Sequence, residues 1–204
     1  MPEVGELVVG AYLQLVRNCR FVLYNQRPEG GGIEGLGELD VVGIADDAVY
    51  VCEVTTHILG MDVPSARRIA KKFQRQKKYA SGHFKDHEKV FEIWSPVIAS
   101  GPLAILRALP GLRIVCNEDY ARRIAVLQNR ARTMSSQTGN DAFRLMQILA
   151  RLRDKPRCSC GHDIDVHGAR GCSIRIAEDF SGSGKGILCQ CSQRPEGLLR
   201  GLKD

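Results

Sequence analysis

Residues 37–57 read GELDVVGIADDAVYVCEVTTH. Two runs rich in valine and isoleucine flank Asp46-Asp47, which is the pattern of two strands joined by a tight acidic turn. The runs cover about 38–45 and 48–55. The second, AVYVCEVT, is apolar on both faces, as a central buried strand has to be. Alternate residues of a strand share a face, so Glu53 and Thr55 point one way and Val54 the other. A tight turn brings Asp40, on the first strand, near Glu53. Two carboxylates at one end of a buried sheet repel each other and lose solvation, and a divalent cation relieves both costs. Mg²⁺ suits such a pair because it takes one or two protein carboxylates and keeps its remaining waters for substrate phosphate. Mn²⁺ accepts the same oxygen donors. A metal held there acidifies a water and stabilises charge on a phosphoryl group. Glu6, early in the chain, is a candidate third carboxylate.

Outward from this stretch the pattern alternates. Val4, Leu7, Val8, Ala11 and Leu15 recur at helical spacing and predict a helix from about Glu3 to Asn18. A strand is expected at 20–25, followed by the glycine-rich loop QRPEGGGIEGLG. After the two central strands comes a helix over 65–80, with Ala66, Ile69, Ala70 and Phe73 on its apolar side. Its other faces carry Arg67, Arg68, Lys71, Lys72, Arg75, Lys77 and Lys78. Strands at 90–94 and 112–116 enclose a short helix from Pro102. Asn117 is placed to cap the next helix, with Glu118 and Asp119 in its first turn. Tyr120, Ile124, Leu127, Ala131 and Met134 form the apolar seam of that helix. A last helix covers about 141–153, with Phe143, Leu145, Met146, Leu149 and Leu152 as its apolar residues. Three close strands followed by helical crossovers predict an α/β fold: a mixed sheet flanked by helices.

These residues carry a resemblance. The chain resembles the PD-(D/E)XK nuclease superfamily, with its restriction-endonuclease-like mixed sheet. Over the first two-fifths it is similar to the YraN-like predicted endonucleases. Gly5-Glu6 with Ala11-Tyr12-Leu13 matches that family's opening helix. Val22-Leu23-Tyr24-Asn25-Gln26-Arg27 matches its first strand, Gly37-Glu38-Leu39-Asp40 its Gly-Glu-hydrophobic-Asp motif, and Glu53-Val54-Thr55 its strand ending in Glu-Val-Lys. To about residue 134 the likeness continues only in outline. The resemblance implies that Asp40 and Glu53 hold a catalytic Mg²⁺ or Mn²⁺ and that Glu6 assists. It departs at Thr55, where the superfamily places a lysine that positions the attacking water. Some members move that lysine to a neighbouring helix. Lys71 and Lys72, or Lys77 and Lys78, are the candidates here, and His57 is a further proton donor or acceptor near the strand end.

The C-terminal region has a different composition. Of eight cysteines, Cys19, Cys52 and Cys116 lie singly in apolar stretches and read as small core residues. The other five, Cys158, Cys160, Cys172, Cys189 and Cys191, cluster with His162 and His167. Zn²⁺ takes four nitrogen or sulfur ligands in a tetrahedron. The intervening IRIAEDFSGSGKGIL has too little apolar content to fold without such a staple. The favoured ligands are Cys158, His167, Cys172 and one or both of Cys189 and Cys191, with Cys160 next and His162 open. A structural zinc is expected. SGSGKG at 181–186 is no phosphate loop, because the Walker pattern would need glycine at Asp179 and Ser or Thr at Gly186. His83, His87 and Glu88 do not form HExxH.

The resulting expectation has four parts: a nuclease domain over 1–134, a linker and helix over 135–156, a zinc module over 157–195 and a tail over 196–204. Net charge is +6 with a pI near 9.0, which favours an anionic partner. The basic helix 65–78 is expected to contact phosphate through Arg67, Arg68, Lys71, Lys72, Arg75, Lys77 and Lys78. No apolar run spans a bilayer and MPEVGELVVG is no signal peptide, so no membrane partner and a cytoplasmic location are expected. The expected function is a metal-dependent DNA endonuclease. A catalytically inactive nucleic-acid-binding or zinc-dependent adaptor is the alternative. A protein partner of the zinc module and a homodimer are left open.

Overall fold

A computed structural model of the chain describes residues 1–27, 37–57, 59–136 and 138–153, and four short strands between 167 and 188. The chain divides into two compact units, Met1–Gln147 and Ile148–Asp204.

In the first unit, α1 (Val4–Leu15) leads to β1 (Phe21–Gln26), β2 (Leu39–Ile44) and β3 (Ala48–Val54). These three strands form an antiparallel meander. Helix α2 (Val63–His83) crosses to β4 (Glu88–Ser95), and α3 (Ser100–Arg107) crosses to β5 (Leu112–Cys116). Both later strands run parallel to their neighbours, so the five-stranded sheet is mixed, in the order β1-β2-β3-β4-β5. Helix α4 (Asn117–Thr133) follows, and then α5 (Asp141–Arg153), whose residues from Ile148 onward belong to the second unit. The α/β class and the flanked mixed sheet agree with the sequence reading.

The period-2 alternation of the strands sorts two cores. Val41, Cys52, Trp94 and Val115 point to one face, where α1, α4 and Phe143 of α5 cover them. Val42, Val49, Val51 and Phe91 point to the other, against Phe73 and Ala80 of α2. Ile93 continues that face with Ala66 of α2 and Leu106 of α3. Burying aliphatic side chains on both faces contributes roughly 1.5–3 kcal/mol each, and such side chains outnumber the few buried or half-buried carboxylates of the central strands, Asp40, Glu53 and Glu92.

Three local expectations are corrected. Asn117 is not the cap of α4. Cys116 holds that position, and Asn117 is the first helical residue at φ 52°. Its side chain turns back instead, accepting from Ile98 N at 3.0 Å and donating to Ile98 O at 3.2 Å. Pinning the loop before α3 satisfies two backbone groups, where a cap would satisfy one. In α5, Phe143 is buried and Met146 packs beside it, while Leu145, Leu149 and Leu152 stay about half exposed. They lie on a different stripe of the helix. Helix α1 ends at Leu15 rather than Asn18, where φ is 56° and the chain leaves the helix. No helix among the described residues is long and apolar enough to cross a membrane.

In the second unit, β6 (His167–Gly168) pairs with β7 (Gly171–Cys172), and β8 (Arg175–Ala177) with β9 (Ile187–Leu188), both antiparallel. The expected ligands Cys158, Cys160, Cys189 and Cys191 lie outside the described residues, as does His162.

Candidate active site

The β2–β3 register pairs Val41 with Cys52. One step further along, Asp40 and Glu53 are opposite each other. By alternation both share the face of Val42 and Val51, which is the face α2 covers. Helix α2 starts where the Asp62 side chain accepts from Ser65 N at 2.8 Å, with Pro64 in its first turn. Lys72 and Gln76, one turn apart, both look back at the strand ends.

The four side chains meet. Lys72 Nζ lies 2.6 Å from Glu53 Oε2 and 3.1 Å from Asp40 Oδ1. Gln76 Nε2 donates to Glu53 Oε2 at 3.1 Å. The second oxygen of Asp40 accepts from Val54 N at 2.8 Å. The Asp40, Glu53 and Lys72 side chains are 13, 15 and 21% exposed, so this is a half-sealed pocket of charge rather than a surface ion pair.

Charge balance governs its chemistry. Burial, then the Asp40 charge, push the Glu53 carboxyl up to about 7, against the pull of Lys72 and Gln76. Burial disfavours the Lys72 ammonium, but Glu53 and Asp40 outweigh it and its pKa is raised. With both acids ionised, the single Lys72 ammonium leaves the cluster one negative charge in excess.

The other residues singled out in the sequence are dispersed. Glu6 is on α1, which covers the opposite face. Its Oε2 accepts from Glu3 N at 2.9 Å in a capping box, and the Asn25 amide, correctly oriented, donates to both its oxygens at 3.0 and 3.2 Å. Burial raises its pKa, and the Asp40 charge adds to the rise. Thr55 keeps the β3–β4 ladder going, donating its N–H to Trp94 O at 2.9 Å. His57, Arg67, Lys71 and Lys78 are exposed. Arg68 donates to Ser65 Oγ at 2.9 Å, and Lys77 Nζ sits 5.5 Å from the centre of the Phe73 ring.

The sequence reading passed over Gln76. Its signal was there: Phe73, Gln76 and Ala80 share a buried stripe, and a polar residue on such a stripe needs a partner. It also passed over Glu92. On the opposite face Glu92 has no exposed side-chain surface, and it accepts from Trp94 Nε1 at 2.8 Å and from Arg123 Nη1 at 3.2 Å. The Arg123 guanidinium stacks 4.8 Å over Trp94 and 5.3 Å over Tyr12. This pair is fully matched inside the α1–α4 layer and serves packing.

The chain matches no family model, and no curated protein matches it in sequence. Among the described residues no group of three or more His, Cys, Asp or Glu side chains is placed to hold a metal. The donor set at this site is therefore two carboxylates. That is a set Mg²⁺ accepts, because it completes its octahedron with water and substrate oxygens.

Proposed function

We propose that this chain is a divalent-metal-dependent nuclease of the PD-(D/E)XK kind in which Lys72, from the neighbouring helix, takes the role of the lysine missing at Thr55. The observation that carries this reading is the Lys72 ammonium set between Asp40 and Glu53 at 3.1 and 2.6 Å. Asp40 and Glu53 would hold the Mg²⁺ or Mn²⁺. Bound there, the ion would acidify a water and neutralise charge on the scissile phosphate. The chain's own residues supply the rest. The Val54 N–H orients Asp40, and Gln76 orients Glu53. Lys72 reaches the same space from α2 and can hold a water or a phosphate oxygen. Arg67, Lys71 and Lys78, exposed on α2, offer phosphate contacts that fix position but not sequence. Helix α2 carries no acidic residue, so nothing on it offsets this charge.

The test is cleavage of supercoiled plasmid and single-stranded DNA with Mg²⁺, Mn²⁺ or EDTA. Wild type should cut only with metal, and Asp40→Ala and Glu53→Ala should lose the activity by about a thousandfold or more, the scale of losing a metal ligand or charge stabiliser in transition-state terms. Undiminished cleavage by Asp40→Ala would refute the assignment. Binding of DNA without cutting in any metal would favour the adaptor reading, which Thr55 supports.

For the second unit we propose a structural Zn²⁺. His167 and Cys172 are cross-strand register partners in β6–β7, and Cys189 directly follows β9. That backbone placement supports His167 and Cys172 as two of the four ligands.

A further inference from the structure

The Lys72 ammonium and a divalent cation would need the same two carboxyl groups. Asp40 has two oxygens, and Oδ2 is committed to Val54 N at 2.8 Å. The other, Oδ1, accepts from Lys72 Nζ at 3.1 Å. On Glu53, Oε2 carries Lys72 and Gln76 together. A divalent cation held by both acids would need the space between their carboxyl groups, which Lys72 Nζ occupies. An ammonium bridging the same pair fills that space and repels the ion.

We propose that Lys72 is a resident counter-ion of the metal-free protein, and that a divalent cation binds only as the Lys72 ammonium is displaced. This rests on the nuclease reading and deepens it. Metal-free, the site is two acids and one cation in a half-sealed setting. With metal added and Lys72 left in place it would hold three positive charges against two negative. The released ammonium needs a new anion, and the substrate phosphodiester is the one the reaction brings. Metal and phosphodiester are therefore coupled, each raising the affinity for the other, as linkage demands. Without nucleic acid the protein keeps its own lysine in the metal position and stays in a low-affinity state.

The experiment is calorimetric titration of the full chain with Mn²⁺ alone, at pH 8, comparing wild type with Lys72→Met. Lys72→Gln is the second variant, since its amide can still donate to both acids if the methionine variant folds poorly. Asp40→Ala in each background identifies the signal belonging to this site and separates it from the C-terminal cysteines. Removing Lys72 should tighten the Asp40-dependent site by at least about tenfold. Thermal unfolding should agree, with Mn²⁺ raising the melting temperature of the Lys72 variants more than that of wild type. An Asp40-dependent site that is no tighter, or is weaker, without Lys72 would overturn the displacement and leave the nuclease reading standing. No Asp40-dependent Mn²⁺ binding in any of the proteins would overturn both.

Discussion

Glu53 shows how one residue's surroundings set its behaviour. It has a lysine within 2.6 Å and a glutamine within 3.1 Å, yet its carboxyl is pushed up to about 7. Burial and the Asp40 charge outweigh both partners. The consequence for stability has a definite sign. Between its ordinary value near 4.5 and about 7, folded Glu53 retains a proton that the unfolded chain has released. Stability therefore falls as pH rises through that window, by up to about 1.4 kcal/mol per pH unit, and levels off above it. Glu53→Gln has no such proton to lose. In EDTA its melting temperature, measured against wild type, should climb from pH 5 to pH 7.5 and then stay constant. A difference that is flat or falls over this range would show that Glu53 titrates normally. Asp40 and Glu53 were legible in the sequence as a strand-end pair, since alternation and a tight turn suffice to place them. Which lysine answers them was not legible. Lys71, Lys72, Lys77 and Lys78 look alike in a list, and only the rotation of α2 on the sheet puts Lys72 inward, Lys71 and Lys78 outward and Lys77 over Phe73.

At the scale of elements, the helix and strand order was readable because the apolar periods are strong. What the pattern missed were contacts made by single polar side chains across elements. Asn117 pins the loop at Ile98, Asn140 donates to Leu7 O at 2.8 Å, and Gln147 donates to Met134 O at 2.8 Å. None has a periodic signature. The packing of α1 on β1 likewise depends on an absence. A Cβ on Gly10 would overlap the Tyr24 hydroxyl and lie 2.6 Å from its ring carbon Cζ. That hydroxyl also accepts from Asn140 Nδ2 at 3.3 Å. Gly→Ala inside a helix normally contributes up to about 1 kcal/mol of stability. Here overpacking costs about 1–3 kcal/mol and the Asn140 contact goes with it. Gly10→Ala should therefore destabilise by roughly 1–2 kcal/mol in chemical denaturation. Gly82→Ala on α2, where nothing lies within 4 Å, should be neutral or stabilising. Equal effects at the two glycines would show that Tyr24 yields freely.

At the scale of the whole molecule, the two units stand on different physics. Met1–Gln147 has a two-sided sheet core, with Val9, Leu13, Val49, Ile93, Trp94 and Leu127 fully buried. The stretch beyond it holds the five clustered cysteines, Cys158 to Cys191, with His162 and His167 between them. On the proposed zinc reading, metal binding would supply folding free energy to that stretch. Cysteine spacing alone raises the expectation of a metal module there, but spacing does not choose among ligands, because seven candidates exceed four positions. The β6–β7 register sets His167 opposite Cys172 along the backbone. The whole-molecule prediction is selective loss. Purified protein should carry about one Zn²⁺ per chain by elemental analysis, as one tetrahedral site requires. Cys172→Ser and His167→Ala should each reduce it sharply. A strong chelator should open the region after about residue 154 to protease while the melting transition of the sheet unit stays in place, because that unit's core shares none of these ligands. Zinc-free protein with an equally protected C-terminal region, or full zinc content in Cys172→Ser, would refute the ligand set. A sheet unit that melted on chelation would mean that the two units do not fold independently.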